Sequence, residues 1–220
     1  MDLILNNKPY LMFHEVLDNW TTESGFHLRN KGKYTITCEF FNNILKKYGD
    51  SVNYTFDDGG ISNLYAANQL KFCNIKGIFF ICTALIGKPG FLNLEEIKEI
   101  AQNHFVFAHG HNHIQKKENL TDVESDWRIS LGFMKTNCFS SEILCLPAGY
   151  YTKTHNRIFK ELKVKYIFHS APSNIVLNFL YQNDIVFIPR IIITNNFNYP
   201  TKFNYVGVKS IIKQVFDFLN

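Results

Sequence analysis

Seven short runs of β-branched and aromatic residues, separated by stretches of helical periodicity, restrict this chain to a parallel sheet covered by helices. The runs are Tyr10–Phe13, Val52–Phe56, Ile75–Cys82, Phe105–Ala108, Ile143–Leu146, Tyr166–Phe168 and Ile185–Ile193. Between them, Asn93 followed by Glu96 and Thr121 followed by Glu124 have capping-box spacing, so each is expected to open a helix. Near the end, Val208, Ile211, Ile212, Val215, Phe216 and Leu219 form one apolar stripe, which predicts a docked C-terminal helix. This alternation is common to a (β/α) barrel and to an open doubly wound sheet. In both, polar groups needed for chemistry gather at the carboxyl ends of the strands.

Two such strand ends are rich in chemistry. The run Val52-Asn53-Tyr54-Thr55-Phe56 stops at Asp57-Asp58-Gly59-Gly60. Neighbouring residues of a strand point to opposite sides, so two adjacent carboxylates are suited to different tasks, and the glycines allow a sharp turn beside a ligand. A solvated Asp-Gly turn is the bland alternative. The run Phe105-Val106-Phe107-Ala108 leads into His109-Gly110-His111-Asn112-His113, which places three of the eight histidines within five residues. A continued strand would align all three imidazoles, whereas a helical turn would align only His109 and His113. Gly110 favours a change of direction after His109, so His109 and His113 are the expected metal ligands and His111 is directed elsewhere. Two histidines, one carboxylate and an open position make a recurrent catalytic zinc arrangement.

Composition removes several other functions. The chain has 220 residues, enough for one core, and no linker-like stretch divides it, so one domain over residues 1–220 is expected. Its net charge of +4 is spread without a basic block, which argues against nucleic acid as a partner. No apolar stretch is long enough for a membrane span. The N-terminus has an acidic second residue and an apolar run broken by two Asn, unlike a secretory signal. Five widely separated cysteines fit reduced core thiols, and with the missing signal they make a cytoplasmic location the expectation.

The two strand ends resemble the motifs of the polysaccharide deacetylase family, the NodB-homology domain of carbohydrate esterases. Thr55-Phe56-Asp57-Asp58-Gly59 matches its first motif, and His109 with His113 matches its second. Leu11-Met12-Phe13-His14 looks like the opening strand of one branch, Gly77-Ile78-Phe79-Phe80-Ile81 like the strand after the first motif, and Leu146-Pro147-Ala148-Gly149 like the Pro-x-Gly of the third. The resemblance implies a distorted (β/α) barrel of about seven strands and an enzyme that removes an N-acetyl group from an amino sugar or polysaccharide precursor. It implies Asp57 as general base, Asp58, His109 and His113 as ligands of a divalent metal, zinc by preference, and an oxyanion site near Pro147, Gly149 and Tyr150.

Two departures qualify these roles. Cys145 stands where many members have the Arg that orients the catalytic Asp, and Arg190 in Ile188-Pro189-Arg190-Ile191 is a candidate to supply that cation from another strand. The late Leu-His motif has no clear match, which leaves His169 as first and His14 as second candidate for the general acid. The alternatives are a catalytically inactive carbohydrate-binding relative and another metal-dependent amidohydrolase. The latter would need further strand-end ligands, for which only His169 and Asp184 are available.

Overall fold

The computed structural model describes residues 8–19, 32–114, 120–149, 155–171, 181–182 and 185–197. All seven expected runs form strands. They are β1 (Tyr10–Phe13), β4 (Asn53–Phe56), β5 (Ile78–Ile81), β6 (Phe105–Ala108), β7 (Ile143–Cys145), β8 (Tyr166–Ala171) and β10 (Ile185–Ile192). They pair in parallel in the order β1-β4-β5-β6-β7-β8-β10, and β10 returns to β1 through Leu11↔Ile191 and Met12↔Ile192. That last pairing closes the sheet, so the architecture is a seven-stranded barrel rather than an open sheet. A short β9 (Tyr181–Gln182) lies antiparallel on β10, and β2 (Glu15–Val16) with β3 (Thr35–Ile36) makes a separate two-stranded sheet.

Five α-helices among the described residues surround the barrel: α1 (Cys38–Tyr48), α2 (Asn63–Phe72), α3 (Leu94–Ala101), α4 (Leu120–Thr136) and α5 (His155–Glu161). The expected capping box opens α3: Asn93 Oδ1 accepts the Glu96 amide at 3.0 Å, and Glu96 Oε2 accepts the Asn93 amide at 2.7 Å. Thr121 is not a cap. It lies inside α4, which already includes Leu120, because the Thr-x-x-Glu spacing fits first-turn positions as well as a cap. The expected helix over residues 208–219 and the candidate ligand Asp184 lie outside the described residues. No described helix is long and apolar enough to cross a membrane.

Strand alternation divides the apolar residues into two cores, which is why the runs read as continuously hydrophobic. Inside the barrel lie Tyr10, Ile78, Phe80, Phe107, Ile143, Phe168, Val186 and Ile188. Phe168 meets Phe80 at 4.9 Å and Tyr10 at 5.4 Å between ring centres, so the lower barrel is filled rather than open. Outside, Leu11, Phe13, Tyr54, Phe56, Phe79, Val106 and Ile167 pack against helix residues such as Phe41, Leu70, Ile97, Trp127 and Phe159. The inward phase continues past the packed floor to Asp57, His109, Cys145, Ser170 and Arg190 at the carboxyl ends, where the site lies.

Candidate active site

Asp57 directly follows β4, its amide donating to the Phe13 carbonyl at 2.9 Å. Its buried carboxylate is gripped by Arg190 from β10, with Nη1 to Oδ1 at 2.5 Å and Nη2 to Oδ2 at 2.8 Å. The same guanidinium reaches Thr55 Oγ1 at 3.1 Å and Cys145 Sγ at 2.9 Å, and lies 5.1 Å from the centre of the Phe80 ring. Such a two-pronged contact fixes a carboxylate in position and orientation together. Arg190 thus supplies, from another strand, a cation against Asp57 that Cys145 cannot. Burial by itself raises the pKa of Asp57, but Arg190 and then His109 hold it below the ordinary carboxylate value.

Asp58 has φ 75°, a left-handed conformation that Asp tolerates, and Gly59 follows at φ 82°. This turn breaks strand alternation. Both carboxylates consequently line one cavity instead of facing opposite sides, and their partners distinguish them. Asp58 Oδ1 lies 3.3 Å from His109 Nε2 and 3.3 Å from His113 Nε2, yet it is buried and accepts no hydrogen bond. Burial would raise the pKa of Asp58, but His109 and His113 lower it well below the usual range.

Gly110 adopts φ 74° and His113 φ 56°, so the chain does change direction after His109 and the two imidazoles converge. His109 Nδ1 is 3.1 Å from the Cys145 carbonyl; as donor there it leaves Nε2 with its lone pair toward Asp58. Burial disfavours charge on His109, but the carboxylates of Asp57 and Asp58 beside it raise its pKa well above the ordinary imidazole value. The surroundings thus call for positive charge at this point. His111 is turned away, as expected, with Nδ1 2.8 Å from Thr83 Oγ1.

The donor atoms of Asp58, His109 and His113 lie within 4.8 Å of one another, and an orphaned carboxylate oxygen among two imidazole nitrogens fits a divalent cation. Asp57, His109 and Cys145 form a second cluster of the same kind. It is the poorer fit, because Arg190 already occupies Asp57 and Cys145, and burial pushes the Cys145 thiol up and away from the thiolate a metal needs.

The cavity over these groups measures about 390 Å³ and is walled by Met12, Leu85, Leu146 and Ile192 besides its polar residues. His14 and Tyr34 line it, with their rings stacked 4.7 Å apart. Burial lowers the pKa of His14, against the opposing charges of Asp58 and Asp57, and its Nδ1 is buried without a hydrogen-bond partner. His169 is not among the lining residues. It shares the outward phase of Ile167 on β8, and burial pulls its pKa down to about 4.

Of the expected oxyanion segment, Gly149 lines the cavity, but its amide donates to the Leu146 carbonyl at 2.9 Å. Pro147 has no amide hydrogen and is buried beneath, whereas Ala148, which was not singled out, faces the cavity at φ 54°. A Cβ at Gly149 would collide with the Ser170 hydroxyl and backbone, so glycine is needed for this loop to pack on β8. Tyr150 lies outside the described residues. Sequence inspection also missed Asp126 and Ser130 of α4, which hold the histidine loop; the only available signal was two polar residues four apart on a helix otherwise packed by Val123, Trp127 and Leu131.

No family model matches the chain, and no curated protein matches it. Solved structures do. IcaB from Ammonifex degensii aligns with TM-score 0.66 and 18% identity over 86% of this chain and 93% of that one. The Streptococcus pyogenes deacetylase PplD in complex with acetate aligns with TM-score 0.69 and 19% identity over 94% and 96%. A polysaccharide deacetylase from Bacillus cereus aligns with TM-score 0.67 and 16% identity over 96% and 69%. At these identities the likeness is one of fold, and the fold is the NodB-like barrel that the motifs implied.

Proposed function

We propose that the chain is a metal-dependent hydrolase that removes N-acetyl groups from an amino sugar or a polysaccharide built from one. The observation that carries this reading is the convergence of Asp58 Oδ1, His109 Nε2 and His113 Nε2 at the mouth of a closed barrel, with the Arg190-bound Asp57 beside them. Asp58, His109 and His113 would hold a divalent cation, zinc by preference, which when bound would polarise the carbonyl and acidify a water from 15.7 toward about 7.

This chain's own groups then have separable tasks. Asp57, kept ionised and oriented by Arg190, takes the proton of the attacking water. His14, rather than His169, lines the cavity and is the side chain placed to hand a proton to the departing amine. With the Gly149 amide taken by the Leu146 carbonyl, the Ala148 amide is the candidate to receive the carbonyl oxygen as its charge develops. Met12, Leu146 and Ile192 offer an apolar wall for an acyl methyl group. The products are acetate and a free amine.

Arg190 against Asp57 and His14 at the cavity support the enzyme over the inactive, carbohydrate-binding alternative, because they are candidates for the two roles whose usual residues are missing. The test is acetate release from N-acetylated amino-sugar oligomers by the zinc-loaded protein. Release by the wild type that falls about 10²–10⁴-fold in Asp57→Asn supports the reading; a wild type that binds zinc and these oligomers without releasing acetate favours the binding relative.

A further inference from the structure

The turn between the two metal-site histidines is held from behind by a helix that does not reach the cavity. We propose that Asp126 and Ser130 of α4 are positioning residues that set the metal-binding geometry by clamping the backbone of Gly110, His111 and Asn112. The inference rests on the metal-site reading above.

Asp126 is 2% exposed and Ser130 fully buried. Asp126 Oδ2 accepts the His111 amide at 2.8 Å and Oδ1 accepts the Asn112 amide at 2.6 Å, while Ser130 Oγ donates to the Gly110 carbonyl at 2.8 Å. From the other side, the Thr83 and Ala84 amides donate to the carbonyls of Gly110 and His111 at 3.1 and 2.9 Å. The turn is thus pinned at each residue, and every one of these bonds lies between His109 and His113. His109 has its own anchors, through its amide to Ile81 and its Nδ1 to Cys145. His113, in a left-handed conformation just after the turn, inherits its position from the clamp.

The chemistry of the clamp is specific. A carboxylate receiving two adjacent amides makes two charge-assisted bonds, whereas a carboxamide accepts through one oxygen and turns an NH₂ toward the second amide. The fit also depends on glycine: a Cβ at Gly110 would stand 2.6 Å from Asp126 Oδ2 and 3.3 Å from Pro147. Groups that orient metal ligands from behind typically affect metal affinity about 10–100-fold when removed.

The zinc dissociation constant of the full chain, measured by chelator competition, tests this for wild type, Asp126→Asn and Ser130→Ala, with melting of each metal-free protein alongside. The expected result is zinc binding about 10–100-fold weaker in Asp126→Asn and several-fold weaker in Ser130→Ala. A residue that only stabilised the fold would lower the melting temperature and leave the affinity of the folded protein unchanged. Should Asp126→Asn fail to fold, Ser130→Ala decides. Zinc affinities within twofold of wild type overturn the inference alone; a wild type that takes up no zinc overturns it together with the metal-site reading.

Discussion

At the residue scale, two adjacent carboxylates are distinguished by their neighbours. Asp57 faces a guanidinium and Asp58 faces two imidazoles. Asp57→Asn should therefore keep the metal and lose turnover, whereas Asp58→Ala should lose the metal; elemental analysis of both beside acetate release checks this, and equal metal loss in the two would contradict the division of roles. Arg190 is as buried as the acid it holds, so removing it leaves a charge with no counterpart. Arg190→Met should cost about 3–5 kcal/mol of stability in denaturant unfolding. In a cycle with Asp57→Asn the double variant should lose clearly less than the sum of the single changes, while strict additivity would show that the pair is not coupled.

At the element scale, much was legible. The alternation that marks Phe105–Ala108 also places His109 inward, and the capping box at Asn93 and Glu96 carries its own geometry. Other features were hidden for physical reasons. The closing pair of β1 with β10 joins residues about as far apart as the described chain allows, and no local pattern encodes it. Asp58 belongs with Asp57 in one cavity because of a left-handed backbone angle that strand periodicity does not anticipate. His169 looked eligible as a strand-end histidine, and only the phase of β8 shows that it faces away. Asp126 acts through backbone amides, so it has no motif of its own.

His104, just ahead of β6, is an element-scale lock: its Nδ1 accepts the Gly77 amide at 3.1 Å and its Nε2 is 3.0 Å from the Ala67 carbonyl, tying α2 and β5 to β6. Burial lowers its folded-state pKa, so the unfolded chain takes up the proton first. The stability this group contributes is complete above its unfolded pKa and is lost as pH falls through the lowered folded value, at up to about 1.4 kcal/mol per pH unit for a fully linked proton. Urea unfolding at pH 7 and pH 5 should show a smaller acid loss in His104→Gln than in wild type; equal losses would remove His104 from the acid sensitivity.

At the scale of the whole molecule, closure explains why the site is where it is. Seven parallel strands bring their carboxyl ends into one ring, aromatic rings fill the barrel below, and polar side chains continuing the inward phase have only the mouth left to occupy. Asp57, Arg190, the two imidazoles and the cavity wall come from all seven barrel strands and the loops after them, so no short segment builds the site alone. The central claim is that this ring holds one catalytic metal ion. The most direct measurement is the metal content of the purified chain after zinc is supplied, compared with His109→Ala prepared in parallel. About one zinc ion per wild-type chain, lost in the variant, is the predicted result; no retained metal in either would contradict the account.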